Sequence, residues 1–396
     1  MDIVTFYLTS IGVLLFIGLL FSLLSQKIKV ANIIFLIFVG ILFNHISYDG
    51  KPLIQFPPVF LTAMAIFTLI MIIFDSSSNF KFRDIDKFSL NAFKLVGVFL
   101  MLNLVFLTVA SVIIGDVGNI FVGLIFATLM TATAPDAIMV FFENSKNKIV
   151  KLMEIESIVN TPLTVLFPFI LLDLMNNVKS FNITYFIDQI TPFLQQFITG
   201  IGTGVIVALI LFKAMKKGYS EKLSPLALIV AALLAYALAE NLKGNGVLAV
   251  TTLGLIFGNV YIKEKATLRE FSGILSNALE VLVFILIGFI VDVPLTKEFF
   301  IKSISIFVIY LLVRFFAVQI CLKQYGLREK IFMTLVSPKG IAVAAIIFAF
   351  ATFQGFERML DFTLAIMVYT LLVSTIVVRF SDYFLHEKIQ PVKNES

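Results

Sequence analysis

Apolar residues follow one another along this chain in long runs, broken by short polar segments, from Ile3 almost to Phe380. Each run is about 17–25 residues, which as a helix crosses a hydrocarbon core of roughly 30 Å. Read this way, the pattern predicts thirteen spans at approximately 3–24, 30–46, 57–74, 90–114, 119–142, 152–174, 187–212, 223–241, 245–262, 272–292, 299–322, 329–353 and 359–380. The expected fold is therefore an all-α polytopic membrane protein. Met1-Asp2 leads straight into the first run, with neither a basic leader nor a small-residue cleavage site, so that run is read as a helix rather than a signal peptide. All loops are short and the tail after the last span runs from Arg379 to Ser396, which gives the expectation of one membrane domain over 1–396 and no soluble domain.

The polar segments alternate in charge. Loops on one side carry 21 of the 30 Lys and Arg residues, among them Lys27, Lys81, Arg83, Lys146, Lys216, Lys263, Arg328 and Lys388. The opposite loops hold six, and Lys94, Arg314 and Lys339 fall inside spans. Basic residues stay cytoplasmic, and the asymmetry would collapse if one span were added or dropped. It predicts an N-terminus outside and a cytoplasmic C-terminus, in what is read as a prokaryotic plasma membrane.

Composition narrows the function. Of 396 residues, 60% are hydrophobic and 14% charged, too few charges to cover a soluble surface. That excludes a soluble enzyme and a nucleic-acid partner; the net charge of +5 belongs to membrane orientation. One cysteine, Cys321, and two histidines, His45 and His386, rule out an internal disulfide or a Cys/His metal centre, and no cofactor is expected.

Two pairs of segments match at an offset of seven spans. Leu69 to Asp75 ends span three as Leu286 to Asp292 ends span ten; Pro135-Asp136-Ala137 in span five corresponds to Pro338-Lys339-Gly340 in span twelve. An odd offset reverses helix direction in the membrane, so the halves, about 1–180 and 220–396 joined by span seven, read as an inverted repeat. Each proline removes a backbone hydrogen bond, and a charged residue follows it directly. Broken helices offer carbonyls to a cation and half-helix ends of both polarities. Asp136 is read as attracting a cation, against the plainer reading of a cap on freed amides. Lys339 at the start of a half-helix needs compensation from a carboxylate or a helix C-terminus; it is either a dipole neutraliser or a charge displaced by the incoming ion. Span six adds Glu156-Ser157-Ile158-Val159-Asn160-Thr161, with 156 and 160 on one helix face and 157 and 161 on the next. Oxygens so placed suit Na⁺, although the same side chains also serve as hydrogen bonds between helices.

Gly326-Leu327-Arg328-Glu329-Lys330 continuing through Ser337-Pro338-Lys339-Gly340, Leu312-Val313-Arg314-Phe315, Glu156-Ser157 with Asn160, and Thr133-Ala134-Pro135 together resemble the monovalent cation:proton antiporters, in particular the NhaP-type sodium/proton antiporters. The resemblance implies unwound, crossing spans five and twelve in a core domain beside a dimerisation domain, and hence a homodimer. It also implies an ion pair between Glu156 and Arg314, and a cytoplasmic funnel acid at Asp75. Two departures stand out: Ala134 replaces the family's Asp before the proline, and Thr161 replaces the Asp after Asn160.

The expected function is exchange of Na⁺, or another monovalent cation, for H⁺ by alternating access. The cation is expected at Asp136, Ser157, Asn160 and Thr161 with Thr133 beside them, and proton and cation compete for one carboxylate, which makes electroneutral exchange the simpler stoichiometry. A small organic anion bound at Lys339, or a transport-incompetent membrane homologue, are the alternatives. No nucleophile–base pair is visible, so no enzymatic activity is expected.

Overall fold

A computed structural model of the chain describes residues 3–28, 32–45, 47–48, 51–52, 56–79, 87–134, 147–177, 183–217, 223–260, 265–290, 294, 296–351 and 353–385. Most described helices coincide with the apolar runs, but the run at 119–142 is described as helix only over Ile120–Leu129, and that at 329–353 divides into Leu327–Leu335 and Ile341–Phe350. The helices are α1 (Ile3–Ile28), α2 (Asn32–His45), α3 (Pro58–Asn79), α4 (Lys87–Leu102), α5 (Thr108–Ile113), α6 (Ile120–Leu129), α7 (Lys148–Asn177) and α8 (Ile183–Lys217). After them come α9 (Leu223–Asn241), α10 (Gly246–Asn259), α11 (Lys265–Ile290), α12 (Lys297–Cys321), α13 (Leu327–Leu335), α14 (Ile341–Phe350), α15 (Glu357–Arg379) and α16 (Ser381–Phe384). A π-turn, Asn103–Leu107, joins α4 to α5. The departure from an all-helical architecture among the described residues is one two-residue antiparallel bridge, Ser47–Tyr48 with Lys51–Pro52. Among the described residues eight segments are long and apolar enough to cross a membrane, and α6 and α10 are shorter apolar helices.

Side-chain caps define several helix starts. Asn119 Oδ1 accepts from the Val122 amide, Asn245 Oδ1 from that of Leu248, and Thr296 Oγ1 from that of Phe299, each relieving a first-turn N–H that has no partner within the helix. Large apolar residues remain on the outside: Phe16, Val105, Ile198, Ile206, Leu209, Ile210, Ile301 and Phe316 are each more than half exposed. In water such a surface would associate; lipid tails cover it without cost.

Without a hydrophobic drive between helices in lipid, close backbone approach holds the bundle together. Helix α11 packs against α2 and α3, and α10 against α3 and α8. At the α2–α11 contact two glycines face each other: a Cβ on Gly40 would stand 2.1 Å from the Ile285 carbonyl oxygen, and one on Gly288 2.4 Å from that of Ile37. The α8–α10 contact repeats the device at Gly204, whose Cβ would meet the Ala249 carbonyl at 2.4 Å.

Two non-helical segments shape the candidate site. Between α13 and α14 the chain leaves the helix over 336–340, because Pro338 lacks an N–H and disfavours helical geometry at Ser337. Helix α6 stops at Leu129, and after a turn at 130–131 the residues 132–134 are non-helical. Residues 135–146 lie outside the described ones.

Candidate functional site

The two non-helical segments meet backbone to backbone: the Ala134 N–H donates to the Pro338 carbonyl at 2.8 Å. This contact places the carbonyls that follow α6 beside the residue that follows Pro338. The Lys339 ammonium, fully buried, donates to Met130 O at 2.6 Å, Ala132 O at 2.6 Å and the Tyr310 hydroxyl at 2.8 Å. An ammonium has three N–H groups, so its donors are saturated. The carbonyls at a helix C-terminus carry partial negative charge, which is the compensation a cation at the start of α14 requires. The Lys339 amide is itself bonded to Thr370 Oγ1 at 3.3 Å.

Proton positions along this chain follow from what each group can donate. Because Lys339 only donates, Tyr310 accepts from it and gives its own proton to Ser337 Oγ, 2.8 Å away. Ser337 in turn donates to Thr334 O at 3.2 Å. The Lys339 ammonium also lies 4.4 Å from the Tyr310 ring centre, close enough for the ring's negative face to contribute.

A second charged group adjoins the first. Arg314 on α12 makes two parallel hydrogen bonds to Glu156 on α7, at 2.5 and 2.7 Å, with both residues at most 1% exposed. The fork geometry is the one that best repays the desolvation of a buried ion pair. Phe99 on α4 stacks 4.8 Å under the guanidinium and meets the Tyr310 ring edge-on at 6.0 Å, so one aromatic wall connects the two cations.

Around Thr131 and Thr133 the side chains are polar and buried. Asn160 on α7 donates through Nδ2 to the Thr131 carbonyl and, at 3.4 Å, to Thr133 Oγ1. Asn103, in the π-turn, donates to Thr131 Oγ1 at 3.0 Å. The Ser157 hydroxyl is directed to Glu154 O of its own helix at 2.7 Å. Among the sequence-derived candidates, Thr133, Asn160, Glu156, Arg314 and Lys339 thus belong to two adjoining buried clusters. Asp75 is half-buried near the end of α3, with Ser78 Oγ donating to its backbone carbonyl. Asp136 and the side chain of Thr161 lie outside the described residues. No group of three His, Cys, Asp or Glu side chains with metal-holding geometry occurs among the described residues.

Sequence reasoning missed Tyr310, Asn103 and the carbonyls of Met130 and Ala132. Asn103 left a signal, a lone carboxamide in the apolar run Met101 to Leu107. The carbonyls left none, since every residue has one.

A protein-family model described as "Sodium/hydrogen exchanger, transmembrane" matches residues 12–381. The Na(+)/H(+) antiporter NhaG of Bacillus atrophaeus is 27% identical over 278 residues, 64% of this chain and 51% of that protein, so the match spans about half of that relative's length. A probable Na(+)/H(+) antiporter 2 of Methanocaldococcus jannaschii is 23% identical over 377 residues, 87% of this chain and 84% of its own. In fold, the chain superposes on the sodium proton antiporter MjNhaP1 of Methanocaldococcus jannaschii, solved at pH 8, with a TM-score of 0.78 at 17% identity, covering 99% of this chain and 100% of that one.

Proposed function

Because the chain belongs to the sodium/hydrogen exchanger family, we propose that it is a secondary antiporter exchanging Na⁺, or another monovalent cation, for H⁺ by alternating access. The observation that carries this reading is the junction of the non-helical segments 132–134 and 336–340. There the Lys339 Nζ already donates to backbone carbonyls, at Met130 and Ala132. Freed carbonyls and hydroxyls in such a setting are the ligands a dehydrated alkali cation needs.

In this proposal Asp136 carries the exchange. Its carboxylate, with Thr133, Ser157, Asn160 and Thr161, holds the cation, and a proton on the same carboxylate excludes it, so the two are coupled through one site. With one carboxylate among the ligands, exchange is electroneutral. Glu156, Arg314 and Lys339 hold the core together around the site, and Asp75 lines the cytoplasmic approach. The halves about 1–180 and 220–396 supply the inverted repeat on which alternating access works. We further assign the chain to the plasma membrane as a homodimer, with its N-terminus outside.

The reading as an organic-anion carrier is not favoured, because it needs a free cation at the junction and the three donors of Lys339 are committed. Proteoliposomes containing a pH-sensitive dye test the antiporter. Na⁺ is expected to drive proton flux in the natural chain and not in Asp136→Asn. Undiminished flux in that variant removes the assignment to Asp136, and a silent natural chain points to a transport-incompetent homologue.

A further inference from the structure

Helix α4 does not run unbroken into α5: the π-turn Asn103–Leu107 separates them and begins with a fully buried carboxamide. Single π-turns inside α-helices frequently mark functional positions, because the extra residue re-aims a side chain at the expense of regular hydrogen bonding. The amide orientation of Asn103 is fixed by its partner. Thr131 Oγ1 gives its one proton to Ala127 O at 3.1 Å and can only accept from Asn103, so the NH₂ end of Asn103 faces it. The carbonyl end, Oδ1, is buried and has no donor among the described residues.

Asn160 repeats the arrangement from another helix. Its NH₂ end faces the Thr131 carbonyl, which only accepts, and its Oδ1 is likewise buried with no donor among the described residues. Two carboxamides, from the π-turn and from α7, therefore hold Thr131 by its hydroxyl and its carbonyl and leave over one acceptor oxygen each. At membrane depth lipid offers no donor, so such oxygens are retained at a cost unless something positive visits them.

We propose that Asn103 is a further ligand of the transported cation, its Oδ1 acting with Asn160 Oδ1 beside the Thr131–Thr133 segment; this rests on the antiporter reading above. Both are neutral oxygens, which bind a hard cation without adding to the site's charge. Asn103 thus sets affinity and the preference among alkali cations, while the proton is exchanged at Asp136. A bridging water is the competing occupant, and it would give no cation-specific effect.

The test uses the full chain in proteoliposomes, with proton flux measured against Na⁺, Li⁺ and K⁺ for the natural chain, Asn103→Ala and Asn103→Asp. Asn103→Ala is expected to raise KM for Na⁺ about tenfold, equivalent to ~1.4 kcal/mol, with a smaller change in kcat and an altered ratio of KM between Li⁺ and Na⁺. Asn103→Asp is expected to lower KM for Na⁺ at alkaline pH and to lose that advantage as the pH falls and the new carboxylate is protonated. A monodisperse Asn103→Ala protein with natural KM values for all three cations overturns the proposal. If that variant does not fold, an unchanged KM in Asn103→Asp overturns it instead. A natural chain without cation-driven flux sinks the antiporter reading and this inference together, whereas normal flux with unchanged variants sinks this inference alone.

Discussion

The Lys339 ammonium lies 2.6 Å from the carbonyl oxygen of Ala132, joining the residue after one helix break to the residues after the other. Replacement by Met keeps most of the length of the side chain and removes the charge. It leaves Met130 O, Ala132 O and the Tyr310 hydroxyl without their shared donor in a medium that supplies none. Each buried acceptor left unpaired costs about 1–3 kcal/mol. A large fall in the thermal midpoint of Lys339→Met in detergent is the expected outcome, with Lys339→Arg only partly corrective because a planar fork does not reproduce the three-point ammonium. Equal midpoints for Lys339→Met and the natural chain would show that the junction does not depend on this charge.

How this junction relates to the sequence is uneven. Glu156, Arg314 and Lys339 are legible because a charge within an apolar run is rare, and the break at 336–340 because Pro338 cannot donate. The compensation of Lys339 is not legible: it comes from main-chain oxygens of Met130 and Ala132, more than two hundred residues earlier in the chain, and main-chain atoms carry no sequence identity. Tyr310 passes unnoticed in an apolar helix since its ring suits lipid and core alike, yet its hydroxyl links Lys339 to Ser337. The π-turn at Asn103 is invisible to hydropathy, which reads α4 and α5 as one span.

The Glu156–Arg314 pair predicts a non-additive pattern. Glu156→Gln or Arg314→Met alone strands a buried partner and is expected to cost about 3–5 kcal/mol. The double variant removes both charges and should recover much of that loss. A double-mutant cycle on thermal or denaturant midpoints measures the coupling, and simple additivity would contradict a buried, mutually dependent pair.

By contrast, Arg358 and Asp116 form an ion pair whose side chains are 60% and 70% exposed. Water already solvates both groups, so Arg358→Ala is expected to change stability by less than about 1 kcal/mol. Comparing its midpoint with that of Arg314→Met separates the two environments on a single scale.

Backbone contact between α2 and α11 gives a steric prediction. A side chain on Gly288 would enter the space of the Ile37 carbonyl and stand 2.7 Å from Gly40 Cα. Gly288→Val must push the helices apart, at the ~1–3 kcal/mol typical of overpacking or more, since backbone atoms cannot rotate aside. The expected result is a loss of monodisperse protein on size exclusion. Gly273→Ala is the matched control, since a Cβ there meets nothing within 4 Å.

Competition at one carboxylate fixes the sign of the pH dependence. If Asp136 holds either a proton or the cation, the apparent KM for Na⁺ equals its alkaline value multiplied by one plus the ratio of proton concentration to the acid dissociation constant. On the acid side of that constant KM therefore rises about tenfold for each pH unit, whereas saturating Na⁺ displaces the proton and restores the same maximal rate. Flux measured at several pH values with equal pH on both faces of the vesicle reads this directly. A KM independent of pH, with only the maximal rate changing, would mean that proton and cation occupy separate groups, and Asp136 would then lose its place at the centre of the exchange.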